Sequence, residues 1–204
     1  MEGRSAFFPK LCILTVSGIQ VTAQDFAVLR SPSGRLSNIL STSAPLVLVI
    51  PDKSALSTLS VAKRLAHDLD VYHKLDAEVI YASEASERLQ RASLGQGNVV
   101  VLGGSDNTFG RTLLHGDKTA FSFSEGKLSL NGRVIGGEEF AALFLHPHPE
   151  NPSGLVLFMY ADTQVSLERA ARLFPIRTGV AVPDWIVVGN AADAIGSAGV
   201  LGAG

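Results

Sequence analysis

The chain has 204 residues, 46% of them hydrophobic and 18% charged, with 17 Lys+Arg against 19 Asp+Glu for a formal net charge of -2. This composition excludes a disordered chain and gives no electrostatic support to nucleic-acid binding; the length suits one sizeable α/β domain with a modest extension. The single cysteine, Cys12, excludes an internal disulfide and any multi-cysteine zinc or iron–sulfur centre. Residues 6–16 are apolar, but Pro9 and Lys10 interrupt them, so they make a poor signal peptide. No run reaches the roughly 18 apolar residues that a membrane-spanning helix needs, and a soluble chain without a membrane partner is expected.

Residues 11–22 read as two short strands joined at Ser17-Gly18, a β-hairpin or edge ribbon. Ser31-Pro32-Ser33-Gly34 marks a loop, and residues 35–40 suit a short helix. Residues 1–43 are therefore taken as a lead-in packed beside the main sheet, and residues 44–204 as the α/β domain. Pro45 opens a first central strand over 46–50, followed by the turn Pro51-Asp52-Lys53-Ser54. Ser54 or Ser57 can cap a long helix ending near Lys74, in which Ala62, Leu65, Ala66, Leu69 and Tyr72 share one apolar stripe. A strand over 77–81 follows, then a helix capped by Ser83 and running to about Ala92.

The stretch 98–114, NVVVLGGSDNTFGRTLL, organises the rest. Val99 to Leu102 are apolar without interruption, as a strand buried on both faces must be. Gly103 and Gly104 end it, and Ser105, Asp106 and Asn107 offer caps for a helix starting near Thr108. From 118 to 134 apolar and polar residues alternate, with turns at Glu125-Gly126 and Asn131-Gly132, predicting a β-ribbon inserted before the sheet resumes. Strands are expected over 141–145 and 155–159, then a helix over 163–174 with Asp162 as N-cap, and a last strand over 185–188. Strands alternating with helices predict a three-layer, flavodoxin-like α/β fold with a mostly parallel sheet.

Ligands of such sheets sit at the carboxyl ends of the strands. Asp52, Lys53, Gly103, Gly104, Asn107 and Asp162 all follow expected strands, so they form the candidate ligand-binding set, with capping and turn formation as the plainer role for Asn107 and Asp162. No serine carries the G-x-S-x-G nucleophile elbow; Gly103-Gly104-Ser105-Asp106-Asn107 lacks the second glycine, and no catalytic residue is assigned. The G-x-G-x-x-G fingerprint is also missing, since Gly95-Gln96-Gly97 precedes its strand, so bound NAD or FAD is not expected. FMN needs no such strict motif and would use the loops after Ile50, Tyr81 and Leu102. His146 and His148 flank Pro147 without an obvious third ligand, and His67 and His73 sit among Asp68, Asp70 and Asp76 as a solvated helix face. No metal and no cofactor is assigned.

The segments APLVLVIP (44–51), AKRLAHDLDVYHKLDAEVI (62–80), GNVVVLGG with Asn107, FLHPHPENPSGLVLFMYA (144–161) and VPDWIVVG (182–189) resemble one family. It is the α/β domain at the carboxyl-terminal end of long, mostly fungal, prolyl-oligopeptidase-like proteins of serine peptidase family S9. Bacterial relatives show a similar strand-helix-strand order and a proline-asparagine-proline turn like that of Pro149 to Pro152. The resemblance spans about residues 10–204 and its motifs are structural. It implies a noncatalytic accessory domain or fragment of a larger peptidase or esterase, whose Ser-Asp-His machinery lies in a separate hydrolase domain. The implied partner is that catalytic domain, or a second copy of the chain. The alternative is an independent small-molecule-binding protein or enzyme using the strand-end rim. Residues 189–204 carry one charge, Asp193, and end in GVLGAG, so this end reads as truncated, with an apolar surface expected near Val200 and Leu201.

Overall fold

Leucine, isoleucine and valine fill the strand β1, Leu46–Ile50, and every residue of it is buried, as a central strand covered on both faces requires. The computed structural model describes residues 35–42, 44–53, 56–115, 119–124, 127–135, 139–176 and 183–204, all within a unit spanning Ser31–Gly204. The hairpin expected over 11–22 lies outside the described residues. So does Ser54, while Ser57 falls inside helix α1, Leu56–His73.

The chain continues through β2 (Ala77–Tyr81), α2 (Ala82–Gln90), β3 (Val99–Leu102) and α3 (Thr108–Leu114). A separate three-stranded antiparallel ribbon follows, formed by β4 (Phe121–Ser124), β5 (Lys127–Leu130) and β6 (Arg133–Val134). Asn131 and Gly132, both at positive φ, turn β5 into β6 as a primed two-residue hairpin loop demands. The main sheet resumes with β7 (Ala141–Pro147) and β8 (Leu155–Ala161), then α4 (Gln164–Leu173), β9 (Trp185–Val188), the short α5 (Ala192–Ile195), a 3-10 turn (Gly196–Gly199) and β10 (Val200–Ala203).

The seven-stranded sheet has the order β10-β9-β7-β8-β3-β1-β2. The pairs β1–β2, β1–β3 and β3–β8 are parallel, whereas β7 runs antiparallel to both β8 and β9, and β10 antiparallel to β9. Thus β1, β2, β3, β8 and β9 point one way and only β7 and β10 oppose them. The order β2-β1-β3-β8 matches the first four positions of a flavodoxin-like sheet. β7, entering from the ribbon, lies between β8 and β9.

Alternation along the strands separates two faces. One carries Leu46, Leu48, Ile50, Val100, Leu102, Leu143, Leu145, Leu157 and Met159 and packs on α1, α4 and a 3-10 helix at Leu36–Leu40. Val61, Leu65 and Leu69 of α1 and Leu167 and Ala170 of α4 supply the helical side. The other face is aromatic at its centre. Phe121 of the ribbon stacks on Phe144 with centroids 3.9 Å apart, and Phe144 stacks on Phe158 at 4.9 Å. α3 lies on this side, its Gly110 close against Val101 and Phe158.

Two caps differ from expectation. Thr163, not Asp162, caps α4, because Ser166 at the third helical position completes a reciprocal capping box with it. Ser83 lies inside α2, whose N-cap is Tyr81; the Ser83 N–H instead donates to Asp52 Oδ1 at 3.0 Å. The glycine-rich tail forms an edge strand, with Gly202 and Gly204 lying against the Trp185 indole, Val200 half-buried and Leu201 partly exposed.

Candidate functional site

The carboxyl ends of β1, β3 and β8 form the rim, and each loop that leaves it is tied by its own side chains. After β1, Asp52 accepts from Ser83, and this hydrogen bonding holds its carboxyl below the usual range. Asp52 therefore serves the start of α2, and Lys53 is exposed. After β3, Gly103 takes φ +101°, a conformation that side chains resist. Gly104 lies so close to Ala161 and Asp162 that a Cβ there would sit 2.1 Å from Asp162 Oδ1.

Two backbone donors of this turn are already occupied by carboxylates. Gly104 N–H donates to Asp106 Oδ1 at 3.1 Å and Ser105 N–H to Asp162 Oδ1 at 3.0 Å. Asn107 is buried beneath them. Its Oδ1 accepts from Gly110 N–H at 3.0 Å and caps α3, while its Nδ2 donates to the carbonyls of Leu102 at 2.9 Å and Val49 at 3.3 Å. The side chain thus joins β1 to β3 and to the helix, and both its ends are engaged inside the protein.

Tyr160, one strand residue before the rim, is the group that sequence reasoning missed. Its hydroxyl donates to Asp162 Oδ2 at 3.3 Å. Burial, with the neighbouring charges of Asp162 and Asp106, pushes the phenol well above its ordinary pKa. A phenol so protonated is a hydrogen-bond donor, not a base. The alternation that places Phe158 and Tyr160 on one face, two residues before Asp162, is the signal that would have found it.

Beside Tyr160 a cleft opens between the sheet, α3 and the ribbon. Val101, Phe158, Phe123 and Leu114 give it an apolar lining, with Arg111 and Tyr160 as polar members. Its cavity is about 10 Å³, room for little more than one water molecule and far below the ~300–1,000 Å³ of typical ligand sites. Of the six rim residues read from the sequence, the structure brings Gly103, Gly104 and Asp162 together around Ser105, sets Asn107 below them, turns Asp52 towards α2 and leaves Lys53 exposed.

An anion at the start of a helix needs free N–H donors. Here Asn107 caps α3 and holds the Gly110 N–H, while the carboxylates of Asp106 and Asp162 hold the Gly104 and Ser105 N–H groups in the turn before it and add negative charge beside the helix start. Ser105 has no histidine hydrogen-bonded to it among the described residues, so no nucleophile–base pair forms at the turn.

Three of the five histidines are tied up as well. His73 bonds the Ile176 carbonyl, which makes its Nε2 a donor and fastens α1 to the segment after α4. His146 Nδ1 donates to the Pro147 carbonyl at 2.7 Å. His148 Nδ1 does the reverse and accepts from Glu150 N–H and Asn151 N–H, so its proton sits on Nε2. Protonated on Nε2, His148 offers no lone pair there to a metal, and the described residues contain no cluster of three or more potential ligands.

A second polar cluster, also unforeseen, involves Arg169 of α4, only 3% exposed. It donates to Asp193 Oδ2 from Nε and Nη2 and to the Glu139 carbonyl from Nη1, while Arg172 takes Asp193 Oδ1. These contacts clamp α5 and the entry to β7 onto α4. No helix among the described residues is long and apolar enough to cross a membrane. Compared with models of known protein families the chain gives no match, and none of the curated proteins matches it either.

Proposed function

We propose that this chain is a noncatalytic accessory domain of a larger serine hydrolase of the prolyl-oligopeptidase type, packing on the catalytic domain or shaping access to its cleft. One observation carries the noncatalytic part of this reading: the Gly104 and Ser105 N–H donors of the β3–α3 turn, where a phosphate or an oxyanion would bind, are held by Asp106 and Asp162 of the same chain. A site that neutralises its own donors stabilises a loop and leaves little for a substrate. The hydrolase context rests on the sequence resemblance described above.

The second reading, a small-molecule site at the rim, rests on the cleft beside Tyr160, lined by Arg111 and by apolar side chains, which would have to widen to admit a ligand. Activity assays test the noncatalytic part. The purified chain should not turn over p-nitrophenyl esters or prolyl peptides above buffer, and a fluorophosphonate probe should leave every serine unlabelled. Stoichiometric labelling of Ser105, or of any other serine, overturns the noncatalytic reading. A G-x-S-x-G domain encoded beside this chain in its gene would support the hydrolase context, and flanking sequence without one would remove it.

A further inference from the structure

The turn between β7 and β8, at the end of the sheet opposite the rim, is built around one imidazole. His148 is 5% exposed, and its Nδ1 accepts two backbone N–H groups, from Glu150 at 3.1 Å and from Asn151 at 2.9 Å. Its backbone N–H donates to the Gly154 carbonyl at 3.1 Å, and the ring lies so close over Gly154 that a Cβ there would come within 3.1 Å of its Cγ. Two buried atoms in this turn lack partners, His148 Nε2 and Glu150 Oε1.

The same turn holds the loop that leads into β3. Glu150 Oε2 accepts from Leu94 N–H at 3.0 Å, and Asn151 Nδ2 donates to the Gln96 carbonyl at 2.9 Å. Asn98, buried at the end of that loop, accepts from Leu155 N–H and donates to the Ile39 carbonyl. The β7–β8 turn, residues 94–98 and the Leu36–Leu40 helix are thus linked in series.

We propose that His148 is a pH-operated latch, which fastens the β7–β8 turn to residues 94–98 while its Nδ1 is unprotonated and releases them on acidification. A proton on Nδ1 would face two N–H donors and remove the acceptor that closes the turn. Burial already favours the neutral ring, while the Glu150 carboxylate opposes this. Glu150 is the charged group facing the ring. Residues 94–98, the Leu36–Leu40 helix and the first residues of β8 bring no ionisable side chain, and His146 on β7 is the other titratable group nearby. Because the closed turn lowers the pKa of the ring, the latch holds above the free-imidazole value of about 6.5 and weakens as pH falls through it.

Amide hydrogen exchange on the whole chain, corrected for intrinsic rates, tests this between pH 7.5 and 5. In the wild type, protection of the Glu150, Asn151 and Leu94 amides should fall, by up to about tenfold per pH unit as the ring titrates. His148→Asn supplies a carboxamide acceptor that cannot be protonated and should keep protection flat, and Glu150→Gln should still show the fall. Flat protection in the wild type overturns the proposal, as does an undiminished fall in His148→Asn or its disappearance in Glu150→Gln. Should His148→Asn fail to fold, ¹⁵N spectra of the wild type decide the matter. The His148 ring of the folded chain must gain its proton only below the free-imidazole value of about 6.5, and a ring that titrates at or above that value overturns the latch.

Discussion

The two faces of the sheet solve the same packing problem with different materials. Towards α1 and α4 the sheet presents leucine, isoleucine, valine and methionine, and the helices answer with leucine, valine and alanine at three- and four-residue spacing. Towards α3 and the ribbon it presents Phe144, Phe158 and Tyr160, with Phe121 and Phe140 laid over them. Branched aliphatic side chains interdigitate closely and make a continuous layer. Rings stack at set distances, and where the stack ends beside Tyr160 a gap remains, which is the cleft. The polar features of the rim therefore gather on the aromatic side, while the aliphatic side carries stability alone.

The largest expected effect is on the aliphatic face. Val100 is fully buried on β3. Val100→Asp should abolish soluble expression, because an unpaired buried carboxylate costs several kcal/mol of a typical stability of roughly 5–15 kcal/mol. A stable, cooperatively unfolding variant would contradict the central position of this strand.

On the aromatic face, Phe144→Ala should cost about 3–5 kcal/mol in denaturant unfolding. Phe144 and Phe121 stack directly, so a double-mutant cycle with Phe121→Ala should show a coupling of about 0.5–1.5 kcal/mol. Zero coupling would mean that the ribbon covers the sheet by burial alone, and the distinction between the faces would reduce to composition.

The smallest effect belongs between the faces. Asn107→Ala removes the α3 cap and the bridge between β1 and β3, and should lower stability by about 1–2 kcal/mol in thermal or denaturant unfolding. As its amide is fully engaged inside the protein, the loss should appear in stability alone. Loss of binding of a small ligand by an otherwise stable Asn107→Ala protein would move the rim from scaffold to site.

Legibility in the sequence followed the chemistry of each segment. The apolar runs of β1 and β3 and the stripe of α1 are dense local patterns, and their elements fell within a few residues of expectation. The cap of α4 was misplaced by one residue. Aspartate is a good N-cap in general, but Ser166 stands three residues after Thr163 and closes the box there, freeing Asp162 to reach Ser105. Arg169 was invisible as a buried cation because its partners, Asp193 and the Glu139 carbonyl, lie 24 and 30 residues away.

Composition, hydrophobic period and turn residues determined by themselves that this chain builds a three-layer α/β sheet with an inserted ribbon, since those signals act over a few neighbouring residues. Tertiary structure alone decided that β7 enters between β8 and β9 and that the tail becomes a strand. The segment VLGA has weak strand propensity, and it pairs only because β9 offers a free edge and Gly202 and Gly204 let the backbone lie against Trp185. The rim was decided in the same way. Which N–H meets which carboxylate depends on loops brought side by side from Gly104, Ser105 and Asp162, a proximity that exists only once the sheet has formed.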